Sequence, residues 1–150
     1  MKLVEFFAKD EISLELSAMD KDAALREMVT LLDLEPEAEE ILYKLLKKRE
    51  NLGSTGIGKG VAIPHCRSLV VDRLRIVYGR KISGLNFEAV DGKAVHHFFL
   101  IVAPPIEVSH LYLPVLGKIA QFCKNPKNLQ QLEQIETADE FFDVLNRAEV

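Results

Sequence analysis

Apolar side chains recur every three or four residues in several segments of the chain, which is the spacing of an amphipathic helix. Asp20 and Pro36 suit the starts of two such helices, because Asp caps free N–H groups and Pro fits a first turn. The pattern predicts helices over about 21–33, from Pro36 to about Glu50, over about 108–123, near 127–134 and over 138–147.

The other apolar segments are typical of strands. Residues 12–16 alternate apolar and polar side chains, whereas 61–64, 74–79 and 95–103 are short apolar runs. The last run is rich in aromatic and β-branched residues, as expected of a strand covered on both faces. We therefore predict an α/β fold over residues 1–150, one domain in which a central sheet has helices on both faces.

Composition and charge narrow the functional classes. The chain has 150 residues, of which 48% are hydrophobic and 28% charged, and a formal net charge of −4. That charge does not favour nucleic acid or an anionic membrane surface as a partner. The longest apolar stretch, 98–106, is too short for a membrane-spanning helix. Cys66 and Cys123 make no disulfide framework, so a cytoplasmic location is expected.

One segment, residues 44–67, is basic and rich in glycine. Its formal charge is +5, which leaves −9 on the rest of the chain, and four of the eight glycines lie within residues 53–60. Glycine lets backbone N–H groups approach a phosphate closely. The segment therefore predicts an anion site, with a solvated loop beside a basic helix as the alternative.

The same segment nearly matches a nucleotide-binding P-loop. Gly53, Gly58 and Lys59 have the required spacing, but Gly60 stands where Ser or Thr should contact magnesium. A P-loop also follows a strand and opens a helix, whereas this loop follows a predicted helix. We regard the match as accidental, and saturable binding of ATP with magnesium would contradict that interpretation.

The candidate nucleophile is His65, directly after Pro64 at the end of a predicted strand. A backbone carbonyl can hold one ring nitrogen there, which fixes the tautomer and leaves the other nitrogen free. A histidine without a role is the alternative. His96 and His97 are adjacent on a strand and should face opposite sides, one of them buried. No histidine or cysteine spacing resembles a zinc site, so neither a metal nor a cofactor is expected.

The run RENLGSTGIGKGVAIPH, residues 49–65, resembles the phosphorylation-site sequence of EIIA domains of the phosphotransferase system (PTS). The resemblance is to the fructose, mannitol and nitrogen-regulatory type. It extends over nearly the whole chain, through the region around Asp91 and Gly92, the run LIVAPP, and the segment that begins at His110. This family implies a three-layer α/β/α sandwich with a central mixed sheet.

The resemblance also implies roles for individual residues. His65 is then the histidine that is transiently phosphorylated, and His110 is a second active-site histidine that hydrogen-bonds the phosphoryl group or the first histidine. Arg49 lies near the phosphate. The residues that line the phosphate pocket are then Gly53, Ser54 and Thr55. Pro114 places the start of its helix nearer Pro114 than His110, because Pro belongs in a first turn.

The implied function is that of a phosphocarrier. A phosphohistidine of an HPr-like or NPr-like protein would pass its phosphoryl group to His65 in a phosphoenolpyruvate-dependent relay, which makes the chain a phosphotransferase component. The resemblance favours a nitrogen-regulatory EIIA, whose phosphorylation controls target proteins. A sugar-specific EIIA that passes the group to an EIIB is the alternative. We expect Ile57, Val61 and Leu111 to form the apolar part of the docking surface.

Overall fold

The computed structural model describes residues 1–106 and 110–150. Short 3-10 turns cover Leu3–Phe6 and Lys9–Glu11. The helices are α1 Lys21–Thr30, α2 Pro36–Asn51, α3 Tyr112–Lys124, α4 Pro126–Gln134 and α5 Ala138–Arg147. The strands are β1 Ile12–Ser13, β2 Gly56–Gly58, β3 Val61–Ala62, β4 His65–Arg67, β5 Arg75–Leu85 and β6 Val95–Ala103.

The strands form a mixed sheet in the order β1-β5-β6-β3-β2, and β4 pairs with β6 as well. β5 and β6 are antiparallel, as are β2 and β3, whereas β1 runs parallel to β5, and both β3 and β4 run parallel to β6. The long β5–β6 pair is the centre of the sheet, so the two faces of these strands carry most of its apolar side chains.

Two hydrophobic cores cover the two faces of the sheet. Tyr78 and Phe99 belong to the core that includes α3, α4 and α5, while Val77 and Phe98 belong to the core that includes α1 and α2. Neighbouring residues of a strand point to opposite faces, so these long apolar runs serve both cores. The three-layer α/β/α architecture predicted from the sequence is confirmed. Within the described residues, no helix is long and apolar enough to cross a membrane.

Several element bounds agree with the sequence predictions. β6 and α5 have the predicted ends, and α2 begins at Pro36. Residues 107–109, where the third long helix is predicted to begin, lie outside the described residues. α3 begins at Tyr112 and has Pro114 in its first turn, as predicted from the missing proline N–H.

Other bounds were wrong. The predicted strand over 12–16 is only the two-residue β1, and α1 ends at Thr30 rather than at 33. β5 continues well past residue 79, and the two charged residues that follow Gly79, Arg80 and Lys81, are buried in it. The Arg80 guanidinium donates to the carbonyls of Leu14, Leu132 and Ile135, so these donors are hydrogen-bonded inside the protein.

His97 is the buried member of the histidine pair on β6, and its neighbour His96 is only half-buried. The Nδ1 atom of His97 lies 2.7 Å from the Tyr78 hydroxyl. Burial, followed by the charges of His96 and Arg80, lowers the pKa of His97 to about 4. The carboxylate of Glu133 on α4 lies 3.9 Å from Nε2, but it is half exposed, so solvent screens its opposing effect.

We expect the protein to lose stability as the pH falls from about 6.5 towards 4. The unfolded chain protonates His97 near its reference pKa of about 6.5, whereas the folded protein resists protonation, so about 3 kcal/mol of unfolding free energy is lost on acidification. Urea unfolding at neutral pH and at about pH 5 should show about 2 kcal/mol of this loss, because pH 5 still lies above the folded pKa of about 4. His97→Gln should have a shallower pH dependence, whereas His110→Gln, which changes an exposed histidine, should have the wild-type one; equal slopes for all three proteins would contradict the assignment.

Candidate functional site

The site is built on an extended segment, residues 61–67, that runs parallel to β6. β3 pairs Val61 with His97, and β4 pairs His65 with Ile101, so one register continues through both strands. The ladder changes at Pro64, which has no N–H to donate. Its carbonyl still accepts from the N–H of Ile101 at 2.9 Å. His65 is therefore the first residue of β4, held in the sheet by its backbone, and it is half-buried.

The ring of His65 is oriented by its own backbone. Its Nδ1 atom lies 2.7 Å from the carbonyl oxygen of Ile63, and a carbonyl can only accept, so Nδ1 carries the proton in this contact. In the neutral ring Nε2 then keeps its lone pair and is the nucleophilic nitrogen. The carbonyl contact predicted from the position of His65 after a strand is confirmed.

Arg67 and Tyr112 lie beside His65. Arg67 is two residues along β4, and alternate residues of a strand share a face. Its guanidinium carbon lies 4.3 Å from the centre of the Tyr112 ring, and its Nη1 donates to the carbonyl of Pro104 at 3.0 Å. The Tyr112 and His65 rings are 6.2 Å apart at their centres. The sequence analysis missed both residues, although the spacing of His65 and Arg67 could have indicated the second cation.

Arg49 extends from the end of α2, and its charge acts on Tyr112. Its Nη1 donates to the carbonyl of Gly53 at 2.8 Å. Burial, with Cys66 second, raises the pKa of Tyr112 to about 12, and the charges of Arg67 and Arg49 oppose that rise. Tyr112 therefore stays protonated at neutral pH, with two guanidinium groups acting on it. These cations make the surroundings of His65 favourable for an anion.

The loop residues predicted to bind phosphate are hydrogen-bonded within the protein. Gly53 donates its N–H to the carbonyl of Glu50 at 3.0 Å. The Ser54 hydroxyl donates to the carbonyl of Phe87 at 2.7 Å. Thr55 is buried, and both its N–H and its hydroxyl donate to the Glu50 carboxylate. Phosphate binding by these groups stays a prediction, and it requires these bonds to open.

The glycines after Thr55 build a hairpin of β2 and β3. A Cβ atom on Gly56 would lie 2.8 Å from the backbone of Ala89, so only glycine allows this approach. Gly60 has a φ of +77°, which L side chains rarely adopt. The loop runs from α2 into this hairpin and opens no helix, which agrees with the rejection of the P-loop match.

His110 precedes α3 and is exposed, with a backbone φ of +55°. A non-glycine residue in this left-handed region is uncommon, so the chain turns sharply before the helix begins. Between described residues, no hydrogen bond joins the rings of His65 and His110. Tyr112 is the described aromatic neighbour of His65. The role of His110 as a second active-site histidine stays a prediction.

The predicted docking residues divide into exposed and buried ones. Ile57 is 46% exposed and Leu111 is half-buried. Val61 is fully buried in the core under α3, so its assignment to a docking surface was wrong. A groove of about 420 Å³ lies beside Arg67, and its walls are mostly apolar. The residues that line it are Ile41, Leu45, Arg67, Ser68, Leu69, Val70 and Pro105.

Fold and site together define an α/β/α protein whose candidate reactive group is a histidine nitrogen in cationic surroundings. Residues 5–148 match the family described as phosphoenolpyruvate-dependent sugar phosphotransferase system, EIIA 2. The chain therefore belongs to the PTS EIIA type 2 family and is a phosphotransferase component.

Relatives of two kinds are similar to this chain. It is 32% identical over 149 residues to the PTS system fructose-specific EIIABC component of Bacillus subtilis, covering 98% of this chain but only 23% of that relative. It is 28% identical to a nitrogen regulatory protein of Bradyrhizobium diazoefficiens, covering 97% and 95% of the two chains. The structure of nitrogen regulatory protein IIA-Ntr from Neisseria meningitidis matches with a TM-score of 0.85 and 30% identity, covering 94% and 97%.

Proposed function

We propose that His65 accepts a phosphoryl group on Nε2 from a phosphohistidine of an HPr-like or NPr-like phosphocarrier. The observation that carries this proposal is the hydrogen bond from Nδ1 to Ile63, which leaves Nε2 as the nitrogen with a free lone pair. The bond between phosphorus and the donor nitrogen breaks as the bond to Nε2 forms. The donor ring leaves with its electron pair, and no proton must be removed from His65.

The neighbouring charges support this transfer. A phosphoryl group in flight spreads negative charge over its equatorial oxygens, so positioning and cationic groups supply most of the catalysis. Arg49 and Arg67 can supply guanidinium donors at this position. The product ring keeps its Nδ1 proton and gains positive character, which strengthens the hydrogen bond to the carbonyl of Ile63. The reaction needs no metal ion or cofactor in this proposal.

Phosphorylation of the purified chain tests the proposal. The chain is mixed with phosphoenolpyruvate, a general PTS enzyme I and an HPr-like or NPr-like carrier, and its intact mass is measured. We expect one acid-labile phosphoryl adduct, formed only when all three components are present. Complete absence of an adduct with every competent carrier would contradict the proposed function.

We further propose a regulatory role, in which phosphorylation of the chain controls its binding to target proteins. The similarity to nitrogen regulatory proteins along almost the full length of both partners supports this choice. The alternative is sugar uptake, supported by the fructose-specific EIIABC relative. A fructose-type EIIB added to the phosphorylated chain separates the two roles. Retention of the phosphoryl group favours regulation, whereas its rapid transfer to EIIB favours sugar uptake. For either role we propose a cytoplasmic location.

A further inference from the structure

The Glu50 carboxylate lies under the loop that joins α2 to β2. Only 1% of its side chain is exposed. Its oxygens accept from the N–H of Thr55 at 3.0 Å and from the Thr55 hydroxyl, and they form an ion pair with Lys21 at 3.1 Å. Lys21 is itself buried, with its amine 4.8 Å from the centre of the Phe87 ring. These contacts therefore join the Glu50 carboxylate at the end of α2 to the loop at Thr55 and to Lys21 on α1.

One route of backbone contacts leads from this carboxylate to the nucleophile. The N–H of Thr55 donates to the Glu50 carboxylate. The carbonyl of Thr55 in turn accepts from the N–H of Ile63 at 3.0 Å. The carbonyl of the same Ile63 holds Nδ1 of His65 at 2.7 Å. A shift of Thr55 therefore moves the carbonyl that sets the proton position and the ring orientation of His65.

A second route leads to the cation. The Gly53 carbonyl that accepts from Arg49 belongs to the same loop, two residues before Thr55. The N–H of Gly53 is bonded to the backbone carbonyl of Glu50 at 3.0 Å. Arg49 is thus held at Gly53, and His65 is held through Ile63 at Thr55, so both are aligned by the segment 53–55. The Glu50 carboxylate anchors that segment.

Building on the proposed function, we propose that Glu50 is a positioning residue for phosphoryl transfer. It touches neither His65 nor the phosphoryl group, and it acts by holding the 53–55 loop so that Nε2 and Arg49 point to one place. Lys21 neutralises the buried negative charge and completes the anchor. A buried carboxylate with three satisfied contacts is rigid, which suits a group that must hold reacting atoms in line.

Glu50→Gln tests this role with little change in size. The amide nitrogen of Gln cannot accept hydrogen bonds from Thr55 or Lys21, so the anchor is weakened. We expect the single-turnover rate constant for His65 phosphorylation to fall roughly 10- to 100-fold. The donor concentration that gives half the maximal rate should stay unchanged. Long-range ¹H–¹⁵N spectra of the unphosphorylated protein should show a smaller population of His65 with its proton on Nδ1.

Two Thr55 variants test the same anchor from its other side. Thr55→Ser keeps the hydroxyl and should retain the wild-type population of His65 with its proton on Nδ1. Thr55→Val removes the hydroxyl with little change in shape, and it should lower the rate in the same direction as Glu50→Gln. These variants also decide the question if Glu50→Gln fails to fold. Equal rates for the serine and valine proteins would overturn the anchoring role.

Glu11→Gln is the matched control, because Glu11 forms a similarly buried ion pair with Arg75 away from the loop. It should lower stability without changing the phosphorylation rate. A Glu50→Gln protein with the wild-type rate and tautomer overturns the proposal, as does a rate loss of equal size in Glu11→Gln. If no carrier phosphorylates the wild type, the proposed function fails, and the His65 tautomer in wild type and Glu50→Gln still decides whether Glu50 positions the ring.

Discussion

Replacement of His65 by alanine should abolish the phosphoryl adduct that the wild-type chain acquires from phosphoenolpyruvate through a phosphocarrier. His65 supplies the lone pair that forms the new bond, and its ring neighbour Tyr112 has no nitrogen that could replace it. Burial raises the pKa of the adjacent Cys66 thiol to about 12, so thiolate is scarce at neutral pH and Cys66 is a poor substitute. Intact mass spectrometry after a fixed reaction time measures the loss.

The position of the adduct on the ring is a sharper test of the geometry. Because Nδ1 donates to the carbonyl of Ile63, the phosphoryl group should be on Nε2, which NMR of the phosphorylated protein distinguishes. His96→Gln is the matched control, since it removes a half-buried histidine from β6 and should leave the adduct intact. A full adduct on His65→Ala, or attachment at Nδ1, would show that the site works differently.

Replacement of Arg49 by alanine should slow phosphorylation of His65 roughly 100- to 1,000-fold, the usual cost of losing one donor to developing negative charge. The guanidinium is held by Gly53 near Tyr112, where its charge adds to that of Arg67. Arg49→Lys should recover only part of the rate, because an ammonium group cannot make the same paired contacts. Rapid-quench measurement of a single turnover with phosphorylated carrier gives the rate constants.

Arg26 offers the control for Arg49. Its guanidinium stacks on Tyr43 and pairs with Glu40 on the exposed side of the α1–α2 pair. Arg26→Ala removes the same charge from the protein, so it should leave the rate unchanged if net charge is not the cause. Urea unfolding of Arg49→Ala should remain close to wild type. A wild-type rate in Arg49→Ala would remove this arginine from the mechanism.

Local sequence patterns correctly predicted those features that depend on residues close together in the chain. Pro36 begins α2, and the ends of β6 and α5 coincide with the predicted ones, because apolar spacing and caps act over a few residues. The same holds for the carbonyl contact of His65, which is made by a residue only two positions away.

Contacts between distant segments escaped the sequence analysis. β5 was predicted to end at Gly79, one residue before Arg80. The carbonyls that accept from Arg80 come from residues 14, 132 and 135, which no local pattern places beside it. Val61 was assigned to the docking surface, whereas in the fold it lies in the core formed by the sheet, α3, α4 and α5.

The α/β/α class, most helices, and His65 as the candidate nucleophile follow from the amino-acid sequence, because periodicity, proline, glycine and a family motif are local properties of the chain. The grouping of Arg67 and Arg49 about Tyr112, whose ring lies beside His65, and the contacts of Glu50 with Thr55 and Lys21 appear only in the folded protein. These groups come from α1, α2, β4 and α3, and their distances depend on how the helices pack on the two faces of the sheet.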